Sequence, residues 1–78
     1  MNIFFQDITM TDLMDAESEI DPNILLIGHY SEDFELELRY DYQLDVYNVW
    51  QDGVLWASSA TRSGIILAYN MALADYRS

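Results

Sequence analysis

The sequence of 78 residues contains neither cysteine nor lysine, and only one proline. Without cysteine it has no disulfide, no thiolate nucleophile and no sulfur-ligated zinc site, which fits a reducing cytoplasm. Without lysine it has no Schiff-base amine and no P-loop lysine. Its start, MNIFFQDI, has no basic segment and no long apolar run. We therefore predict no signal peptide, no membrane span and a cytoplasmic location.

Positive charge is also scarce. Three Arg stand against fourteen Asp and Glu, and the net charge is -11. Such a charge opposes contact with nucleic acid or anionic lipid and favours a basic protein partner. Because 51% of the residues are apolar, we expect a packed core instead of disorder. The length allows one domain, residues 1–78, of modest stability.

The most regular pattern in the chain covers residues 34–46. Apolar residues hold every even position and mostly acidic ones the odd positions. In a strand this period of two gives one apolar face and one face of carboxylates. Strands usually have about 5 to 6 residues, so we expect a turn near Asp41. A three-residue loop, 41–43, would set Leu38 opposite Val46 and keep apolar residues together, and one long bent strand is the alternative.

A second turn is predicted at Asp52-Gly53, between two apolar-rich runs. A type I′ turn needs positive φ at both central residues, which this dipeptide favours. The turn would pair Trp50 with Leu55 on the core face. Val49 would then pair with Trp56 on the acidic face.

Helices are predicted at both ends of the chain. Thr9 and Asp12 form an approximate capping box for a helix over about 10–20, and Asp21-Pro22 ends it. Residues 1–8 are read as either a strand or that helix's first turn. The second helix covers about 62–76. Together these patterns predict an α+β fold, in which both helices cover one face of an antiparallel sheet of three to four strands, at about 24–29, 34–40, 44–51 and 54–58.

One strand and one helix have unusual apolar content. The run 24–27 reads as a strand buried on both faces or nearly so. The second helix is apolar over more than the usual stripe of about 100°. Either the first helix packs beside it, or part of it contacts another subunit, with Ile66, Leu67 and Met71 as the possible interface of a homodimer or larger oligomer.

Candidate catalytic and metal-binding groups are few. His29 is the single histidine, and one His near one Ser does not specify a catalytic site. The alternating acids of 15–21 lack the central Gly and the twelfth-position Glu of an EF-hand loop. Glu35 and Glu37 would lie about 6.6 Å apart without a pocket that separates their pKa values. We therefore predict a non-enzymatic protein without metal or cofactor.

An N-terminal helix, three strands and an Ala-rich helix resemble the double-stranded-RNA-binding domain in outline. That family binds phosphate through lysines at the start of its last helix. The matching segment here, 61–64, supplies only Arg62. This departure opposes direct RNA binding, because the electrostatic contribution has the wrong sign.

The carboxylate face is the predicted binding site. Acidic side chains would follow the strand at steps of about 6.6 Å, and nucleic acid carries phosphates at regular steps of about 3.4 Å. Aromatic side chains on the same face would stack on the guanidinium groups of a partner. The predicted acidic face consists of Glu32, Asp33, Glu35, Glu37, Asp41, Asp45, Tyr47 and Trp56. The alternative is that these charges only give solubility and protect sheet edges.

In size, acidity and absence of Lys, the chain resembles the small phage-encoded inhibitors of host defence, the anti-CRISPR and anti-restriction DNA mimics. The resemblance implies an inhibitor, in the host cytoplasm, that occupies the basic groove of a nuclease or CRISPR effector subunit without turnover. The sign of the charge agrees with it. The second hypothesis is an oligomeric accessory or structural protein that associates through the apolar C-terminal helix.

Overall fold

The structure is a computed structural model that describes residues 6–18 and 25–77. Helix α1 covers Met10–Ser18 and helix α2 covers Arg62–Arg77. Between them lie four strands, β1 (Leu25–Ser31), β2 (Phe34–Asp41), β3 (Val46–Gln51) and β4 (Val54–Ser59). The strands form one antiparallel sheet in the order β1-β2-β3-β4. This confirms the predicted α+β fold.

The core lies between the sheet and the two helices. The even positions of β2, Phe34, Leu36 and Leu38, are buried under α2, whose Ile65 and Tyr69 are fully buried. The remaining buried residues come from β3, both helices and the segment before α1. Helix α2 contacts β2, β3 and β4, and α1 contacts β1 and α2. Both helices therefore cover one face of the sheet, and the period of two along β2 decides which side chains they bury.

Local hydrogen bonds explain where the helices begin. The Asp12 carboxylate accepts from the Thr9 backbone N–H at 2.9 Å, and the Thr9 hydroxyl accepts from the Asp12 N–H at 3.2 Å. This reciprocal pair is the predicted capping box. At α2, the Thr61 hydroxyl accepts from the Gly64 N–H at 3.1 Å. Each helix thus starts one residue after a threonine that satisfies a free backbone donor.

The amino-terminal segment is held by one amide side chain. Asn70 on α2 accepts from the Ile8 N–H at 2.8 Å and donates to the Ile8 carbonyl at 2.9 Å. Ile8 belongs to the buried core and is in neither a helix nor a strand. The two readings of residues 1–8 therefore fail for residues 6–8, and residues 1–5 lie outside the described residues. The predicted helix end at 19–20 and the stop at Asp21-Pro22 also lie outside them.

The turn between β2 and β3 differs from the prediction. It contains the four residues 42–45, and Leu38 pairs with Val49 instead of Val46. The Asp41 carboxylate accepts from the N–H groups of residues 43 and 44, and Asp45 has φ 56°. Tyr42 and Leu44 are exposed in this turn, so their place in the alternating pattern does not reflect a strand. The odd change in register exchanges the two faces of β3.

The second hairpin confirms the predicted turn but corrects the faces. Asp52 and Gly53 both have positive φ, at 52° and 81°, and Trp50 pairs with Leu55. A bulge then follows, and Val49 pairs with Ala57 instead of Trp56. Val49 is fully buried, whereas Leu55 is 49% exposed. The placement of Trp50 and Leu55 on the core face, and of Val49 on the acidic face, was therefore wrong.

Strand β1 is also less buried than predicted. It is an edge strand of the sheet, with a register shift between Leu25 and Ile27. Leu25 is 41% exposed, and Leu26 and Ile27 are only partly buried. Because both helices lie on one face of the sheet, the other face of β1 has no cover from either helix, and its apolar run is not buried on both faces.

The Asp52-Gly53 turn generates the first prediction. Replacing Gly53 by Val should lower the free energy of unfolding by more than about 1 kcal/mol, because a β-branched residue is strained at φ 81°. No atom lies within 4 Å of an added Cβ, so the loss would come from backbone strain and not from a clash. Gly53→Asn is the matched control, because Asn tolerates positive φ. Urea unfolding measures both variants, and equal stability of Gly53→Val and the wild type would contradict the turn.

Candidate functional site

The face of the sheet opposite the helices is the largest surface built by the alternating pattern. We call it the outer face. On β2 it carries the odd positions, and the neighbouring positions follow from the strand register. Its residues are Gly28, Tyr30, Glu35, Glu37, Arg39, Asp41, Val46, Asn48, Trp50, Leu55 and Ser58.

At the centre of the outer face, Glu37 is largely enclosed. Its carboxylate accepts from the Tyr30 hydroxyl at 2.7 Å and from Arg39 at 2.7 Å and 2.9 Å, and its side chain is only 15% exposed. The hydrogen bond from Tyr30, followed by those from Arg39, lowers the pKa of Glu37 despite the opposing effect of burial. Burial and the hydrogen bond to Glu37 raise the pKa of Tyr30 to about 12. Glu37 is therefore a compensated anion.

Gly28 makes this arrangement possible. It pairs with Glu37 across the β1–β2 ladder, and the ring of Tyr30 lies across it. A Cβ on Gly28 would lie 2.5 Å from the Tyr30 hydroxyl oxygen and 2.7 Å from a ring carbon. These separations are too short for non-bonded atoms, so only glycine lets Tyr30 reach Glu37.

Among the described residues, carboxylates without an arginine ion pair are concentrated at one end of the sheet. The β1–β2 and β3–β4 turns share this end, because consecutive antiparallel turns alternate between the two ends. We define the acidic end as Glu32, Asp33, Glu35 and Asp52, all of them exposed. The Asp52 N–H donates to the Glu35 carbonyl at 2.8 Å, and the Asp52 carboxylate accepts from the Glu35 N–H at 3.0 Å. Within residues 6–18 and 25–76, both arginines form ion pairs with other carboxylates, Arg39 with Glu37 and Arg62 with Glu17.

An aromatic residue lies beside this charge. Trp50 pairs with Glu37 across the β2–β3 ladder and is partly buried. It lines a shallow depression of about 240 Å³ together with Arg39, Asp41 and Asn48. The depression extends from Trp50 towards the β2–β3 turn, where both the Asp41 carboxylate and the Arg39 guanidinium line it. The accessible part of the indole can stack on a guanidinium group.

The structure brings together only part of the predicted acidic face. Glu32, Asp33 and Glu35 lie in or next to the acidic end, and Asp41 is partly buried, where it caps the β2–β3 turn. Asp45 lies in that same turn, at the other end of the sheet, and accepts a hydrogen bond from Tyr40. Glu37 is enclosed at the centre of the outer face, so the six predicted carboxylates form one cluster of three, one compensated group and two groups at the other end of the sheet.

The two predicted aromatic residues of that face are placed differently. Tyr47 is 7% exposed and belongs to the core, because the four-residue turn exchanged the faces of β3. Its assignment to the acidic face was wrong. Trp56 is 41% exposed and follows Leu55 at the β4 bulge, without the predicted pairing to Val49.

Three residues of this surface were missed. Tyr30 follows the single histidine and lies outside the alternating stretch, so no pattern linked it to Glu37. Trp50 was assigned to the wrong face. Asp52 was read only as a turn residue. A meander already implies that the first and third turns share one end of the sheet, and this signal in the sequence would have placed Asp52 near Glu32.

A cleft of about 830 Å³ opens at the other end of the sheet, between α1, the β2–β3 turn and the start of α2. We call it the tyrosine cleft. Glu17 and Arg62 form an ion pair there, with the closest nitrogen and oxygen 2.9 Å apart, and Tyr47 donates to Glu17 at 2.5 Å. Its lining comprises Met10, Met14, Glu17, Leu26, Tyr40, Tyr42, Asp45, Tyr47, Ala60, Thr61, Arg62 and Ser63.

Burial and hydrogen bonds shift the pKa values of the cleft residues. Burial and the hydrogen bond to Glu17 raise the pKa of Tyr47 to about 12, so its phenol is neutral and weakly nucleophilic. Burial opposes ionisation of Glu17, but its hydrogen bonds from Arg62 and Tyr47 and the charge of Arg62 lower its pKa overall. A carboxylate held in this way is a weak base.

His29 lies on the core face of β1, opposite Leu36. Its Nδ1 is 2.6 Å from the hydroxyl of Tyr69, which is 3.2 Å from the Leu36 carbonyl oxygen. Burial lowers the pKa of His29. Ser31, two residues along, contacts the Tyr76 hydroxyl at 2.9 Å. The His29 ring and the Ser31 hydroxyl thus contact the hydroxyl groups of two α2 tyrosines, which agrees with a structural role for His29.

The predicted oligomer interface is partly exposed. Leu67 is 65% and Met71 is 56% exposed on the side of α2 away from the sheet. Ile66 packs against the core and is only partly buried. The broad apolar surface of α2 is therefore divided into a packed side and an exposed side. One side contacts α1 and the sheet, and Leu67 and Met71 face solvent.

Comparison with protein families, with curated proteins and with solved structures found no match for this chain. Within residues 6–18 and 25–77, neither helix is long and apolar enough to span a membrane. In the same ranges, no three His, Cys, Asp or Glu side chains are grouped closely enough to hold a metal ion. The function must therefore be inferred from the outer face, the acidic end, the tyrosine cleft and the exposed side of α2.

The close approach at Gly28 gives a prediction. Gly28→Ala should displace the Tyr30 ring, remove its hydrogen bond to Glu37, and return the pKa of Tyr30 from about 12 towards its ordinary value. Ultraviolet titration of the tyrosines, compared with Tyr30→Phe as the control, identifies the group that titrates. An unchanged titration curve for Gly28→Ala would contradict the described packing of Tyr30.

The burial of His29 gives a pH prediction. Because its pKa in the folded chain lies below the ordinary 6.5, the unfolded chain binds the proton more readily. Stability from this group is thus complete above pH 6.5 and is lost as the pH falls towards the folded-state pKa. His29→Asn, which keeps a hydrogen-bonding side chain, should remove this loss.

The measurement is urea unfolding of both proteins at several values between about pH 7.5 and 5.5, above the main range of carboxylate titration. The stability of the wild type minus that of His29→Asn should fall as the pH is lowered. A constant or rising difference would show that His29 is not buried as described.

Proposed function

We propose that this chain is a non-enzymatic binding protein of the anti-CRISPR or anti-restriction DNA-mimic kind, which blocks a basic nucleic-acid groove of a nuclease or CRISPR effector subunit. One observation carries the proposal. The sheet combines an exposed carboxylate cluster at its acidic end with the partly buried Trp50 of its outer face, while both Arg39 and Arg62 are compensated by ion pairs. The cytoplasm of a host cell is the corresponding location.

The electrostatic support comes from the acidic end. Its four carboxylates, Glu32, Asp33, Glu35 and Asp52, are exposed on turns and at a strand start that are held by backbone hydrogen bonds. Charges fixed on a folded scaffold attract a basic groove at long range and lose little conformational freedom on binding. With a net charge of -11, the same field repels nucleic acid, so the chain would compete with nucleic acid for the groove.

Short-range recognition would come from the centre of the outer face. Trp50 offers an aromatic surface, and the depression beside it is the size of a single side chain. Tryptophan and tyrosine are frequent among the residues that contribute most to interface affinity. The enclosed Glu37 would contribute little net charge but holds the Tyr30 hydroxyl from β1, while Trp50 pairs with Glu37 from β3. An arginine of the partner could stack on Trp50 while the acidic end pairs with neighbouring cations.

The mechanism would be occupancy. The chain needs no bond-making step, because a groove filled by a tightly bound protein is closed to nucleic acid. Inhibition would therefore be stoichiometric. It would weaken as salt is added, since exposed charges are screened over about 8 to 10 Å at physiological ionic strength.

An oligomeric accessory protein that associates through α2 is the second candidate. The observation that favours it is the exposure of Leu67 and Met71, two large apolar side chains one helical turn apart. The two functions differ in their response to salt. Association through apolar side chains is strengthened or unchanged by salt, whereas binding to a basic groove is weakened.

Two single charge reversals test the first proposal. Glu35→Lys lies on the outer face, and Asp15→Lys lies on α1 as the matched control. Both positions are exposed, and each variant changes the net charge by the same amount. We expect Glu35→Lys to weaken binding about tenfold or more, or about 1.4 kcal/mol, and Asp15→Lys to have a much smaller effect.

The measurement is displacement of DNA from purified CRISPR effectors and restriction endonucleases, followed by mobility shift between about 50 and 200 mM salt. Circular dichroism confirms that each variant is folded. Equal loss of inhibition in both variants would mean that only total charge matters. Retained inhibition by Glu35→Lys would exclude the outer face as the binding site.

A further inference from the structure

The β1 and β4 edges of the sheet differ in how well they are protected from pairing with another strand. The β1 edge lies near the segment 6–8 and α1, with Asp7 and Asp12 lining the cavity beside His29. The β4 edge, Val54–Ser59, has the sequence VLWASS, without a charge or a proline. An edge strand presents unpaired N–H and C=O groups, and charged residues or proline are common means of blocking them. Within residues 6–18 and 25–77, a bulge near Trp56 is the one protective feature of β4.

The surface around β4 is apolar. Val54 is 67%, Leu55 is 49% and Trp56 is 41% exposed. Three large consecutive side chains at an open strand edge are unusual in a monomer, because they favour strand pairing with another chain.

Charge is also distributed unevenly along the sequence. Residues 53–74 form β4, the connection and most of α2, and they contain Arg62 as their only charged residue. Arg62 is directed to Glu17 in the tyrosine cleft. Thirteen of the fourteen acidic residues precede this segment. The β4–α2 unit is thus a neutral surface on a strongly anionic protein.

We infer that β4 is the interface of a homodimer, in which the β4 strands of two copies pair antiparallel and extend the sheet from four strands to eight. The distribution of charge along the chain indicates that a second copy, and not a basic partner, pairs with the β4 edge. Two chains of net charge -11 repel one another over most of their surfaces, and the segment 53–74, which has no acidic residue, is where they can approach. A basic partner would instead be attracted to the acidic surfaces.

The geometry of such a pair follows from antiparallel pairing. A two-fold axis perpendicular to the sheet reverses the strand direction and keeps each face of the sheet on its own side. The two α2 helices would then flank the axis on one side, with Leu67 and Met71 directed away from the sheet. The two outer faces would lie side by side on the other. This interface does not depend on the basic-groove function, and it would duplicate the proposed binding face.

Three matched substitutions test the inference, each replacing an exposed leucine by aspartate. Leu55→Asp places the charge on β4, Leu67→Asp places it on α2, and Leu44→Asp places it in the β2–β3 turn as the control. The wild-type exposures are 49%, 65% and 72%. Light scattering after size exclusion, over a range of concentrations and salt, measures the mass relative to the 9.1 kDa chain.

We expect the wild type and Leu44→Asp to have the mass of two chains, and Leu55→Asp to raise the dissociation constant at least tenfold. Added salt should strengthen the dimer, because it screens the repulsion between the chains. This is the reverse of its expected effect on groove binding, so the failure of one proposal can be distinguished from the failure of the other.

A monomeric wild type at high concentration would overturn the inference. So would a dimer that Leu67→Asp dissociates and Leu55→Asp does not, since α2 would then be the interface. If Leu55→Asp does not fold, hydrogen exchange of the wild type decides. The β4 amides should exchange more slowly as concentration rises, and exchange that is independent of concentration, or slowed only by a basic partner, would contradict self-pairing.

Discussion

The burial of Leu36 and Leu38 beneath α2 is the constraint on which the rest of this structure depends. Both side chains are fully covered, and they fix the direction of every other residue of β2. Once they are buried, Glu35 and Glu37 must lie on the opposite face. The core side and the outer side of β2 therefore follow from one alternating segment. Tyr69 reinforces the arrangement, because its hydroxyl lies 3.2 Å from the Leu36 carbonyl oxygen.

The charge of the chain is organised by this scaffold in three ways. Where carboxylates meet the sheet centre or the tyrosine cleft, as Glu37 and Glu17 do, arginine and tyrosine compensate them. At the acidic end they remain exposed and concentrated. From residue 53 to residue 74 they do not occur. A uniformly acidic coat would serve solubility alone, whereas this segregation favours separate surfaces for a basic partner and for a second copy.

Most of the fold could be predicted from the sequence, because its signals are local. The Thr9 capping box, the Asp52-Gly53 turn and the alternation of β2 each have a physical cause within a few residues. The face of β3 could not be predicted in this way. Tyr42 and Leu44 continue the alternating pattern through a turn, and only the tertiary register shows that they are exposed. Relative to the predicted register, the observed one places Tyr47 in the core and Trp50 on the outer face. The aromatic part of the candidate site therefore depends on this register.

The outer face therefore requires that Glu35 on β2 and Trp50 on β3 are exposed to solvent, and that the alternate residues of both strands are buried. Nuclear magnetic resonance with a neutral, soluble paramagnetic agent measures this orientation residue by residue. We predict strong relaxation of the Trp50 indole and the Glu35 side chain, and weak relaxation of the Leu36, Leu38 and Val49 methyl groups. Strong relaxation of the Val49 methyl groups with a protected Trp50 would contradict the outer face, and the functions proposed for it would lose their basis.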